Sequence, residues 1–256
     1  MVNEDDIQRA ARMILEAVQI IALTGAGTSV ESGIPDFRSP GGLWTRYDPL
    51  IYGTYESFVN HPERFWEMAK ELNPTLEEAR PNQAHYALAE LEGLGKCRAV
   101  ITQNIDHLHQ RSGSTDVLEL HGTHRTGHCM KCRREFTLEE MNELSMDNTQ
   151  VPYCPDCGSS IKPDVVLFGE PLDSRVLSRA AELASTSDLM LIVGCSLEVY
   201  PAAALPDYTK RSKGKLLFFN TTTTCHDSQA DLLCLGKAGE VLPHVVEAYK
   251  KIAGIE

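Results

Sequence analysis

Four of the eight cysteines stand as two pairs, Cys129-Met130-Lys131-Cys132 and, after 21 residues, Cys154-Pro155-Asp156-Cys157. Two residues between thiols let one turn offer both sulfurs to one ion, and two such turns close a tetrahedral site. A closed four-thiolate site leaves no position for water, so the expected metal is one structural zinc. Gly158 after the second pair suits the turn of a zinc knuckle. A redox dithiol or chance spacing is the competing reading.

A second group is Gly25-Ala26-Gly27-Thr28-Ser29, with Gly33 following after Val30, Glu31 and Ser32. Glycines after a buried strand let backbone approach a phosphate, and a following helix N-terminus favours the anion. The third glycine comes too late for G-x-G-x-x-G, and a plain strand-to-helix turn also explains the pattern. Ile34-Pro35-Asp36-Phe37-Arg38-Ser39 then reads as a ligand-covering loop or as a surface loop with a turn proline.

A third group is Thr102-Gln103-Asn104-Ile105-Asp106, followed later by His121-Gly122. Amides and carboxylates at a strand end bond sugar hydroxyls and carboxamides. An imidazole titrates near neutrality and serves as a general base. His107, His109, His124 and His128 are rivals to His121 for that role. Two further runs, Lys162 to Glu170 and Gly194 to Pro201, read by default as core strands with glycine exits.

Elements must carry these groups. Ile7 to Ala17 has helical spacing of apolar residues, and Val18 to Leu23 is an apolar run ending at the glycine turn. Further buried-strand candidates are 99–101, 117–120, 165–168, 189–193 and 216–219, with helical patterns at 83–94 and 177–184. Alternation of this kind predicts a parallel sheet covered on both faces. The polar groups follow the strand ends, so they converge on the crevice outside the carboxyl edge. Residues 39–80, with an expected helix near Pro62 to Leu72, and residues 123–162 interrupt the alternation. The expected organisation is one domain over 1–256. Its Rossmann-like core spans about 1–38, 81–122 and 163–256. A small lobe comes from a helical insert, 39–80, and a zinc-binding insert, 123–162.

The net charge of −12 disfavours direct nucleic-acid binding, which needs clustered cations. It suits a basic peptide, and equally it only maintains solubility. No apolar run reaches the ~20 residues of a membrane span. The acidic start Met1 to Asp6 has no apolar segment behind it, so no secretory signal is expected and the expected location is cytoplasmic. Without such a signal, paired cysteines favour metal over disulfides.

Taken in order, these motifs resemble the sirtuin family of NAD-dependent protein deacylases, of the prokaryotic type. The family's Gly-Ala-Gly-x-Ser and Gly-Ile-Pro-Asp-Phe-Arg match Gly25 to Ser29 and Gly33 to Arg38. Gln-Asn-Ile-Asp matches Gln103 to Asp106, His-Gly matches His121-Gly122, Phe-Gly-Glu matches Phe168 to Glu170, and Gly-x-Ser matches Gly194 to Ser196. The resemblance covers roughly Ile7 to Val246. Thr28 stands where Ile is common, and Cys195 where Ser is common.

The resemblance implies that NAD is consumed while an acylated-lysine protein or peptide is deacylated. The products would be nicotinamide, free lysine and O-acyl-ADP-ribose. It places NAD on Gly25, Ala26, Gly27 and Ser29, with nicotinamide near Ile34, Asp36 and Asp106 and Phe37 over the ribose. Arg38, Gln103, Asn104 and Ile105 complete that side. Gly194, Cys195, Ser196, Asn220, Lys237 and Ala238 line the rest. His121 is implied as general base, with Asn104 orienting ribose and water. The peptide would add as a strand between Val165, Phe168, Gly169 and Glu170 on one side and Leu197, Val199 and Tyr200 on the other. Relatives that remove succinyl or malonyl groups carry a Tyr-x-x-Arg pair where this chain has Trp66 and Ala69, so charged acyl groups are expected to be disfavoured. A mono-ADP-ribosyltransferase using the same NAD site is the alternative, and an NAD-sensing module a weaker one.

Overall fold

A computed structural model describes residues 3–37, 39–145 and 150–255. Its strands are β1 (Ile20–Thr24), β2 (Cys97–Thr102), β3 (Val117–Glu119), β4 (Gly122–Cys129), β5 (Glu135–Thr137), β6 (Ile161–Val165), β7 (Leu189–Val193), β8 (Lys215–Asn220) and β9 (Leu232–Leu235). The first helices are α1 (Glu4–Glu16), α2 (Pro49–Tyr52), α3 (Tyr55–Asn60), α4 (Pro62–Glu78) and α5 (Gln83–Gly93). They are followed by α6 (Leu108–Arg111), α7 (Leu138–Leu144), α8 (Ser174–Thr186), α9 (Leu205–Arg211) and α10 (Ala238–Ala253).

Six strands form one parallel sheet in the order β3-β2-β1-β7-β8-β9. Leaving out the three strands of the small sheet, this is the doubly wound order, which reverses between β1 and β7. Side chains alternate across it. Ile20 and Ala22 pack with α1, α5 and α10 through Ile14, Leu88 and Val245. Ile21 and Leu23 point the other way, toward Ala180 and Ala184 of α8 and Leu205 of α9. Burial on both faces explains why β1 and β7 are apolar at nearly every position.

A second, antiparallel sheet has the order β5-β4-β6. Its Phe136 and Ile161 share a core with Phe65, Trp66 and Met68 of α4 and with Leu138 and Met141 of α7. The parallel core with helices on both faces, and the small lobe of cysteine ribbon and helices, agree with the expected fold class. No described helix is long and apolar enough to cross a membrane.

Three local expectations differ from the structure. The run at 165–168 is not a core strand. The strand is Ile161–Val165, and it pairs with β4 in the small sheet. Beyond it, Val166 N–H donates to the His121 carbonyl (2.8 Å) and Phe168 N–H to the Gly53 carbonyl (2.9 Å). An apolar run shows burial, not which sheet supplies its partners. The glycine turn leads into short 3₁₀ turns, Ala26–Thr28 and Val30–Ser32, rather than an α-helix. Helix α4 continues through Pro74 to Glu78.

Candidate active site

The reversal point of the sheet brings two glycine turns into contact. Gly25 follows β1 and Gly194 follows β7. Gly27 N–H donates to the Gly194 carbonyl (2.9 Å), and Gly25 N–H to the Val193 carbonyl (3.1 Å). A Cβ on Gly194, whose φ is +57°, would lie 2.1 Å from Thr28 N, and one on Gly27 would lie 2.8 Å from the Gly194 oxygen. The glycines are therefore required by the crossing itself, before any ligand is considered. We predict that Gly194→Ala lowers stability by ~2–4 kcal/mol from overpacking and left-handed backbone strain. A urea midpoint equal to that of the unsubstituted protein would contradict this.

Asn104 organises the turn. Its amide donates to the Gly25 carbonyl and to Ser29 Oγ, both at 3.1 Å. That leaves Oδ1 as the group it can offer a ligand. Ser29 Oγ donates to Asp106 Oδ2 (2.6 Å), while Asp106 Oδ1 caps Leu108 N–H (3.0 Å). Behind the turn, Thr24 Oγ1 meets Thr102 Oγ1 (2.8 Å) and His109 Nε2 (2.9 Å). Burial pushes the His85 imidazolium down to about 4, and holds its neighbour His109 well below the usual range too.

A cavity of about 610 Å³ runs along this edge and into the lobe. Gly25, Ala26, Gly27 and Ser29 line it, as do Ile34, Asp36 and Phe37. Gln103, Asn104, Ile105 and Asp106 form its floor with Gly194, Cys195 and Ser196. Asn220 and Ala238 close one end, and Val165, Phe168, Gly169, Glu170, Val199 and Tyr200 lie at the other. Two expected residues are not among the lining. Leu197 is 2% exposed and packs in the core, and Lys237 faces Glu240 outside (3.2 Å). Arg38 lies outside the described residues.

Of the candidate histidines, His121 and His124 line the cavity. His109 is bonded to Thr24 in the core, His128 pairs with Asp164 (2.6 Å), and His107 begins α6. His121 Nδ1 lies 3.0 Å from the Gln103 carbonyl. A carbonyl only accepts, so Nδ1 carries the proton and Nε2 presents its lone pair. Burial pulls the His121 imidazolium below its usual range, partly offset by the bond to Gln103. His121 is thus a neutral base at pH 7. His124 makes the same kind of bond to the Ile105 carbonyl (2.6 Å) but sits deeper, 7% exposed. Gly122 has φ +73°, and a Cβ there would overlap the Asp164 carbonyl oxygen, so the glycine after His121 is dictated by the close passage of β6.

The four paired cysteines place their sulfurs within 4.8 Å of one another. Cys129 and Cys157 are 3.3 Å apart, and Cys132 and Cys154 3.6 Å. Zn–S bonds of ~2.3 Å at tetrahedral angles require S···S edges of ~3.8 Å, so the sulfurs fit a zinc ion. Lys131 and Cys132 N–H both point at Cys129 Sγ (3.4 Å), and Gly158, at φ +69°, donates to the Cys154 carbonyl (2.9 Å).

The Sir2 family model matches residues 25–201. The chain belongs to the Sir2 family. The chain is 46% identical to NAD-dependent protein deacylase 2 of Archaeoglobus fulgidus over 97% of its own length and 98% of that protein's. A solved Sir2 with a deacetylated p53 peptide and 3′-O-acetyl ADP ribose superposes with a TM-score of 0.89 at 40% identity, covering 98% of this chain and 99% of that one. A Sir2 bound to a myristoylated histone peptide gives 0.85 at 39%, covering 99% and 100%.

Within this Sir2 chain, Asn82 and Glu31 were not singled out by the sequence reading, and the contacts of Asn220, which was, are fixed only by the fold. Asn82 donates to the Thr28 carbonyl (2.7 Å) and Ser32 Oγ (3.0 Å), tying the glycine turn to the start of α5. Glu31 accepts from Gly239 N–H (2.8 Å) at the start of α10. Asn220 clamps Cys195, accepting from its N–H (2.9 Å) and donating to its carbonyl (3.1 Å). Asn before a helix signals a cap, but its distant partners are invisible in one dimension.

Proposed function

We propose that this Sir2 chain is an NAD-dependent protein-lysine deacylase, yielding nicotinamide, deacylated lysine and O-acyl-ADP-ribose. The carrying observation is His121, a base with a free Nε2 where the NAD-side turns meet the lobe. NAD supplies an electrophilic ribose carbon that the acyl oxygen attacks, and one zinc supports the ribbon. The narrow Gly25–Ser29 turn receives the pyrophosphate. Asn104, with both N–H groups committed, offers Oδ1 to ribose or water. Asp106 and Ile34 form the nicotinamide end, while Asn220 and Ala238 border the adenosine end. Phe37 stacks near Trp44 (5.3 Å), which in turn approaches Phe168 (6.1 Å), so one aromatic chain links the ribose cover to the peptide side. His121 takes the proton from a ribose hydroxyl.

The chain works as one catalytic domain. The strand β6, where the core was expected to resume near 163, pairs within the small sheet, and the chain rejoins the core only after it, at Leu172 and α8. The peptide enters beside Phe168 and Gly169 on one side and Val199 and Tyr200 on the other. Phe168 N–H and carbonyl are already bonded to Gly53 and Tyr55 (2.9 Å each), which leaves Gly169 as the pairing position there.

Incubation with NAD and an acetyl-lysine peptide, followed by mass analysis, tests the proposal. O-acetyl-ADP-ribose is expected. ADP-ribosylated protein would mean a transferase instead, and unchanged, tightly bound NAD a sensor.

Acyl choice follows from the lobe end of the cavity. Phe65, Trp66, Met68, Ala69 and Leu72 line it together with Met141. Among the described residues no Lys or Arg lines the cavity, and Lys70 is exposed. A succinyl carboxylate would lose its water without gaining a cation. Acetyl-lysine and longer neutral acyl-lysines should exceed succinyl-lysine by ~100-fold or more in kcat/KM, equivalent to ~3 kcal/mol. Equal rates on one peptide carrying each group would overturn this specificity while leaving the deacylase reading intact.

A further inference from the structure

Lys162 is a buried ammonium that the reaction above does not use. It is 2% exposed, and its Nζ has three oxygen partners: the Val165 carbonyl (2.7 Å), the Pro163 carbonyl (3.2 Å) and Glu170 Oε2 (2.9 Å). Glu170 Oε2 also accepts from Leu167 N–H (2.9 Å), and Glu170 N–H returns to the Leu167 carbonyl (2.9 Å). One ammonium therefore ties the end of β6 to the turn that follows it.

We infer that Lys162 is a positioning residue for the acyl-lysine peptide, holding the Val165–Glu170 segment in its receiving shape through the Glu170 carboxylate. The inference rests on the deacylase reading. Burying a charge is costly, and an apolar side chain of similar volume would serve stability as well or better. What the ammonium adds is direction, since three acceptors from one short stretch must converge on one point. The segment it holds lies next to His121, because Val166 N–H donates to the His121 carbonyl. Glu170 borders the cleft with its carboxylate turned back onto Lys162 and Leu167 N–H, closing a turn, and Gly169, at φ +90°, lies beside it. A segment shaped in advance spares the peptide the cost of ordering it. The NAD-side turn is held separately, by Gly194, Asn104 and Asn82. Loss of the ammonium should therefore be felt by peptide and not by NAD.

The test is steady-state kinetics on the full chain with acetyl-lysine peptide and NAD, with zinc content followed. Lys162→Met should raise the peptide KM ~10-fold or more while the NAD KM stays within ~2-fold, the pattern of a lost substrate-binding contribution. Glu170→Ala, at a side chain 20% exposed and so less costly to folding, should do the same. Lys162→Arg, which keeps charge and donors, should recover most of the loss. An unchanged peptide KM in the first two variants overturns the inference. So does a parallel rise of both KM values, or an Arg variant no better than Met. Unsubstituted protein that leaves the peptide intact overturns the deacylase reading itself, and is told apart because it needs no variant.

Discussion

His121→Ala should lower deacylation by ~100- to 10,000-fold, the usual range for removing a general base, with NAD affinity nearly unchanged. The His121 ring contacts the Gln103 carbonyl, not the Gly25–Ser29 turn proposed for the pyrophosphate. His124→Ala is the matched control, because His124 lines the same cavity and bonds a neighbouring carbonyl in the same way. It should cost far less than His121→Ala in kcat. A His121→Ala enzyme with half of normal turnover, or a His124→Ala enzyme equally dead, would move the base elsewhere. The pH profile is an independent check. The proposed base role requires neutral His121, and burial depresses its pKa below the ordinary 6.5. Activity should therefore persist as pH falls through 6.5 and drop only below it. An acid limb centred above that value would contradict the buried, neutral assignment.

Removing the zinc, by chelation or by Cys→Ser at Cys129, Cys132, Cys154 or Cys157, should abolish activity through loss of lobe structure. Binding of a structural zinc is worth ~10–16 kcal/mol in small peptides, comparable to the ~5–15 kcal/mol that holds a whole domain. The loss would spread, because Cys129 and Cys154 belong to the same apolar cluster as Phe65, Trp66 and Ala69 of α4. Those α4 residues also line the cavity, at the end proposed for the acyl group. Activity, zinc content and lobe tertiary signal should fall together and return together on adding zinc. Full activity in zinc-free protein would exclude the structural role. Loss of turnover with an intact lobe would instead mean that the metal does chemistry, which a closed four-sulfur site cannot.

Much of this protein is legible without coordinates. The paired spacing of Cys129, Cys132, Cys154 and Cys157 sets a tetrahedral site because two residues between thiols span one turn. The apolar runs of β1, β7 and β8 declare a sheet buried on both faces, and a polar group after each run points to one ligand edge. These features are local, or repeat with a fixed period, so a single sequence carries them. Tertiary structure decided the rest. By residue type His107, His109, His124 and His128 are rivals to His121, which the His-Gly resemblance favours; the cavity excludes His107, His109 and His128 and keeps His121 and His124. Gly25 and Gly27 look like phosphate chemistry in sequence and Gly194 like a strand exit, but all three are required where the two turns cross. Val166–Glu170 has the composition of a core strand, yet its backbone partners are His121, Gly53 and Tyr55. Lys162 sits among strand residues and its role follows from three oxygens that converge only after the chain turns back. Hydrogen-bond partners far apart in sequence leave no periodic trace, so burial is written in the sequence while the identity of each buried partner is fixed only by the fold.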